Sequence, residues 1–188
     1  MKKYFYLCLV LISFIFSINL SSENLDEKLS RQIRENLASP FMDKTMDGFT
    51  KLGSSEVAPI ILMGLYTFGN EKLQQTTKLS TYSIASGMLT CVLIKFVVDR
   101  ERPCGNTSRV NSSFPSGHST GAFAFAYVFS KKYHKAAIPL YLTAATIALS
   151  RVYLEKHYLT DVIAGAVLGV TAGYFVTRNE QTILNIEF

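Results

Sequence analysis

The stretch "FPSGHST" at residues 114–120 sets Pro115, Ser116, Gly117 and His118 where an apolar helix begins. Pro115 and Gly117 interrupt regular structure, Ser116 is a favourable N-cap, and His118 titrates near neutrality. Taken alone, this is either a capped helix start with an incidental histidine or an anion site, because a helix N-terminus offers free N–H groups. A second group, "SRVYLEKHYLTD" at 150–161, holds Arg151, His157 and Asp161. His157 and Asp161 stand four apart, on one face of the start of the last helix. A carboxylate there can accept one imidazole N–H and leave the other nitrogen's lone pair free. An isolated pair of this kind reads more simply as a capping or surface contact. The third group is Lys95, inside an apolar run, with Arg102 seven residues on. A helix continued to Pro103 gives both nearly the same angular position. On their own they read as a snorkelling lysine and an interfacial arginine.

The elements that carry these groups are apolar. The chain has 188 residues, 48% of them hydrophobic, a net charge of +5 and a mean hydropathy of +0.20. That length suits one domain. Lys and Arg are scattered between apolar runs, without a dense basic tract, which argues against nucleic acid. Of the three cysteines, Cys8 and Cys91 lie in apolar segments and Cys104 in a polar loop, so neither a disulfide framework nor a zinc site is expected.

Residues 1–22 have a basic start and a long apolar stretch, the pattern of a secretory signal peptide or a first membrane span. Residues 23–55 read as an amphipathic helical pair broken at Pro40 and lying on a surface, with Leu25, Leu29, Ile33 and Leu37 at helical spacing. Residues 56–178 carry the further apolar segments, at 57–69, 79–98, 119–129, 136–154 and 158–176, and 179–188 form a tail. Gly165, Gly169 and Gly173, four apart, would allow one helix to approach another closely in a membrane.

If six segments span, the loops alternate sides. One side receives the opening Met-Lys-Lys, 70–78, the basic "KKYHK" at 131–135 and Arg178; the other receives residues 99–117 and the loop carrying His157. Lysine-rich short loops belong on the cytoplasmic face. All three chemical groups then fall on the outer face. Together they supply three cations, a helix start, two histidines and a carboxylate, which is a receptor for a phosphate group.

"KFVVDRERP", "PSGH" and "SRVYLEKHYLTD", in this order and spacing over residues 95–161, resemble the tripartite signature of the type-2 phosphatidic acid phosphatase superfamily, which also includes class A acid phosphatases and vanadium haloperoxidases. The "FMDKTMDGFTKLGS" stretch also resembles its membrane members. The resemblance implies an all-α, six-helix membrane-embedded bundle. It implies His157 as a nucleophile forming a phosphohistidine, Asp161 orienting it, and His118 as the acid for the leaving group and then the base for water. It implies Lys95, Arg102, Ser116, Gly117 and Arg151 as phosphate ligands.

Basic side chains can stabilise a transferring phosphoryl group in place of a metal. The expectation is therefore a metal- and cofactor-independent hydrolase of a phosphorylated lipid, such as phosphatidate, phosphatidylglycerophosphate, undecaprenyl diphosphate or a lipid A phosphate. It would sit in a bacterial inner membrane with the site facing outward. The alternatives are a secreted soluble acid phosphatase, a vanadate-dependent haloperoxidase and a non-enzymatic protein with a relict site. A Ser116–His157–Asp161 triad is disfavoured, because "FPSGH" is no nucleophile elbow and the cations would have no task.

Overall fold

A computed structural model describes residues 23–105 and 108–185. Residues 1–22, expected to be a signal peptide or first span, lie outside them. All regular structure among the described residues is helical: α1 (Glu23–Leu37), α2 (Pro40–Leu52), α3 (Val57–Phe68), α4 (Glu71–Val98), α5 (Gly117–Lys132), α6 (Ala137–Tyr153), α7 (Leu159–Arg178) and α8 (Glu180–Leu184), with short 3-10 turns at Arg109–Asn111 and His134–Ala136.

Local chemistry sets the helix boundaries. Ser39 has an extended backbone and its hydroxyl accepts from Met42 N at 3.2 Å, so α2 starts at Pro40, which suits a first helical position. Pro40 therefore opens α2, and the break lies just before it. Asn70 caps α4 by accepting from Leu73 N at 3.0 Å. This carries α4 back to Glu71, eight residues before the apolar run expected at 79. Thr76 and Thr77 return their hydroxyls to carbonyls four residues back, so these two polar side chains continue the helix with their hydroxyls paired. In the tail, α8 follows α7 and Glu180 pairs with Lys132 at 2.5 Å.

Helix α4 is inside out by the standards of a water-soluble protein. Its buried residues are mostly small or polar, Thr76, Thr77, Ser80, Ser83, Gly87, Cys91 and Lys95 beside a single leucine, Leu79, whereas Leu89, Leu93 and Val97 point outward and are 60–83% exposed. Ile138 and Leu142 on α6 and Ile163 on α7 also face out. Apolar surface of this extent on helices of spanning length suits hydrocarbon. Three helical stretches, α4, His134–Tyr153 and α7, are long and apolar enough to cross a membrane, while α3 is apolar but shorter. The protein is a helical membrane protein.

Helix α5 is the centre of the bundle and packs against α7, α6 and α4. Its closest neighbour is α7. A Cβ on Gly165 would lie 2.4 Å from Ser116 O, and one on Gly169 would lie 2.3 Å from Thr120 O. The glycine row thus lets the two backbones touch, as its spacing predicts. This contact brings the start of α7 against the start of α5.

Candidate active site

The Lys95–Arg102 pair forms differently from the way the spacing predicts. Helix α4 stops at Val98 because Asp99 turns left-handed at φ 45°, its N–H returning to Lys95 O at 3.0 Å. Arg102 is therefore in a loop, not two turns up the same helix. The loop folds back over the helix end. Lys95, 7% exposed, directs Nζ at Ser112 O, and Arg102 donates from Nε to Asn111 O at 2.8 Å and from Nη2 to Asn111 Oδ1 at 2.7 Å.

The "PSGH" loop is buried through Ser112, Ser113 and Ser116. Its backbone is tied at both ends: Ser113 N donates to Arg100 O at 2.7 Å, and Ser116 N to Asp161 O at 3.0 Å. Ser116 occupies the N-cap of α5, though its hydroxyl is 3.5 Å from Ser119 N, a long contact. Gly117 and His118 stand in the first turn of α5, whose N–H groups have no partner within the helix.

His157 reaches the same place by a turn at the end of α6. Glu155 N donates to Val152 O at 2.9 Å and Lys156 N to Arg151 O at 3.0 Å, with Glu155 left-handed at φ 55°. This paired pattern closes the helix and reverses the chain. His157 N also donates to Arg151 O at 3.1 Å. His157 therefore precedes α7 instead of riding on it, and Tyr158 is the N-cap.

The expected His157–Asp161 bond is also modified. Nδ1 lies 2.7 Å from Ser113 O and 3.6 Å from Asp161 Oδ2, so the backbone carbonyl is the nearer acceptor. The carboxylate is already engaged. Oδ2 accepts from Tyr158 N at 2.8 Å and from the Ser113 hydroxyl, and Oδ1 from Arg100 Nη1 at 2.7 Å. A carbonyl only accepts, so Nδ1 must carry the proton and Nε2 keeps its lone pair.

Burial lowers the pKa of His157 to about 4; Asp161 acts upward, and Arg102 and Lys95 act downward. The imidazole is neutral at pH 7. Burial also lowers Arg102 from its ordinary value, without removing its charge.

The three groups converge. Arg151, His157, Arg102 and Lys95 all act electrostatically on His118, and Arg102, Asp161 and Arg151 on Lys95. Arg151 donates Nη1 to Thr50 Oγ1 at 2.5 Å, while its buried Nε has no hydrogen-bond partner among the described residues. A buried guanidinium N–H left open in a cationic cup is suited to an anion. The histidines face different surroundings. His118 borders an apolar cavity of about 470 Å³ that Ile61, Met88, Phe125 and Ile147 help to line; His157 borders a polar one of about 200 Å³ with Glu27, Arg31 and Tyr158. Among the described residues, no three His, Cys, Asp or Glu side chains gather as metal ligands.

Sequence reasoning missed Arg100, Asp26, Ser113 and Thr50. Arg100 stands between Asp161 and Asp26, at 2.7 and 2.9 Å. Thr50 and Asp26 belong to the amphipathic helices α2 and α1. The only signal for Arg100 was its place inside "DRERP".

The PAP2 superfamily model matches residues 77–184, and the chain belongs to that superfamily. The undecaprenyl-diphosphatase BcrC of Bacillus subtilis is 26% identical over 126 residues, spanning 63% of this chain and 65%, just under two thirds, of that protein. The phosphatidylglycerophosphatase B of Bacillus subtilis is 29% identical over 181 residues, 86% of each chain. The crystal structure of a transmembrane PAP2-type phosphatidylglycerolphosphate phosphatase from Bacillus subtilis superposes over the whole of both chains with a TM-score of 0.78 at 24% identity, a likeness of fold.

Proposed function

We propose that the protein is a membrane phosphatase that hydrolyses the phosphomonoester or diphosphate of a lipid through a phosphohistidine on His157. The observation that carries this is the cationic cup of Lys95, Arg102 and Arg151 around two histidines, with the Arg151 Nε left open. The relatives named above act on undecaprenyl diphosphate and phosphatidylglycerophosphate.

Nε2 of His157 attacks phosphorus, forming the N–P bond as the P–O bond to the lipid breaks. His118 gives its proton to the departing oxygen. Water then attacks phosphorus, His118 takes its proton, and the N–P electrons return to Nε2, releasing phosphate. Asp161 stabilises the positive charge on the ring. Lys95, Arg102 and Arg151, with Ser116 and the Gly117 N–H, hold the three equatorial oxygens and need no metal for charge stabilisation.

In-line displacement puts the leaving group opposite the nucleophile. The leaving lipid then lies on the His118 side, where the apolar cavity begins. This supports a lipid over a soluble phosphate.

The chain is read as a leading signal peptide or first span at 1–22, an outer-face helical region at 23–55, a phosphatase core at 56–178 and a tail from 179. Six spans follow if segment 1–22 is retained and α3, α4, α5, α6 and α7 all cross. The cup lies where α4 and α6 end and α5 and α7 begin. Lys131, Lys132 and Lys135 lie at the other end of α5, and lysines in a short loop favour the cytoplasmic face, which supports a site facing outward from a bacterial inner membrane.

Phosphate release from a panel of lipid and soluble phosphates, with and without EDTA, for wild type and His157→Ala, tests this reading. Release is expected to be strongest on lipids, insensitive to EDTA and lost in the variant. Normal turnover by His157→Ala overturns it.

A further inference from the structure

We propose that Asp26 and Arg100 are positioning residues that keep Asp161 effectively negative toward His157, making the amphipathic helix α1 part of the catalytic apparatus. The inference rests on His157 being the nucleophile. Asp161 is fully buried and bonds directly to Arg100 at 2.7 Å. That guanidinium alone would cancel the carboxylate, and a ring becoming positive beside it would meet a neutral pair. Asp26, with a side chain 3% exposed, takes the other edge of Arg100 at 2.9 Å. The Asp26–Arg100–Asp161 chain then carries one net negative charge. Attack makes the His157 ring positive and brings the whole group to neutrality. Stabilisation gained only as charge develops lowers the barrier without tightening substrate binding.

The same helix fixes the geometry. Asp26 Oδ1 accepts from Thr160 N at 3.2 Å, Oδ2 accepts from the Thr160 hydroxyl, and Ser30 Oγ accepts from Leu159 N at 3.0 Å. Side chains of α1 thus satisfy the open first-turn N–H groups of α7, the turn that holds Asp161. The Arg100 guanidinium also lies over the Tyr158 ring, 4.1 Å from its centroid. Asp161 therefore sits on a turn fastened from outside the core.

Asp26→Asn removes the charge and keeps an oxygen for Thr160 N. Its kcat is expected to fall on the order of tenfold, the effect of one nearby charge in partly buried surroundings, with KM within about twofold. Adding Arg100→Gln returns the remaining charge to Asp161, and the double variant should recover kcat relative to Asp26→Asn. A merely structural role makes the double variant worse than either single one. An unchanged kcat in Asp26→Asn, no recovery in the double variant, or a kcat loss that vanishes when rates are normalised to the folded fraction from thermal unfolding in detergent each overturns the proposal. His157→Ala in the same assay separates the claims. Its retained turnover would contradict the nucleophile assignment, whereas a dead His157→Ala beside a fully active Asp26→Asn contradicts only the role of α1.

Discussion

His157 Nδ1 faces the carbonyl oxygen of Ser113 at 2.7 Å. A main-chain oxygen of the loop before "PSGH" therefore fixes the tautomer of the histidine in the last motif. No side-chain substitution can remove this acceptor, and the ring's free lone pair is the one on Nε2.

Burial holds His157 down at about 4 in the fold against 6.5 for the unperturbed group. The unfolded imidazole binds its proton first, so stability is expected to fall as pH drops from about 6.5 to about 4. The acid limb of kcat/KM should likewise lie nearer 4 than 6.5. A pH–rate profile and thermal midpoints across this range measure both, and a His157-dependent limb near 6.5 would contradict the neutral, buried nucleophile.

Arg151 holds Thr50 with Nη1, and its buried Nε has no partner among the described residues. Arg151→Gln should lower kcat/KM by roughly a hundredfold or more, as expected for loss of a transition-state donor. Thr50→Val, which only loosens the arginine, should cost about tenfold or less. Steady-state kinetics on one lipid phosphate separate the two. Equal losses would mean that α2 supplies more than support.

Gly169 and Gly48 give opposite expectations for one methyl group. A Cβ at 169 meets Thr120 O at 2.3 Å and Ala124 N at 2.8 Å, whereas one at 48 meets nothing within 4 Å. Gly169→Ala should destabilise by about 1–3 kcal/mol through forced separation of α5 and α7. Gly48→Ala should be neutral or stabilising by up to about 1 kcal/mol. Thermal unfolding in detergent checks both signs.

Gly121 lines the apolar cavity one turn beyond His118, and a Cβ there meets open space. Gly121→Leu should lower kcat/KM for a long-chain phosphatidate by about tenfold and leave p-nitrophenyl phosphate within about twofold, since only a lipid tail competes for that volume. Equal effects on both substrates would place the tail elsewhere.

The candidate site was legible in the sequence because Lys95, Arg102, His118, Arg151, His157 and Asp161 keep their spacing whatever the exact helix limits, and the fold brings them together. The glycine row was legible too, because a four-residue period of small side chains has one packing consequence. The helix ends were harder. Asp99 and Glu155 take left-handed conformations that neither residue type announces, and these two turns bring Arg102 and His157 into place. Asp26, Thr50 and Arg100 were hidden for another reason. Asp26 and Thr50 meet Arg100, Thr160 and Arg151 only when α1 and α2 dock on the core, and Arg100 meets Asp161, 61 residues on, only when its loop packs against the start of α7.

Trapping the covalent intermediate tests whether His157 carries the phosphoryl group. His118→Ala, given p-nitrophenyl phosphate carrying labelled phosphorus, loses its leaving group without an acid but lacks the base for hydrolysis. Base-stable, acid-labile label should accumulate on Nε2 of His157 and be absent when His157 is also replaced by Ala. Label on any other residue, or label persisting without His157, would contradict the account.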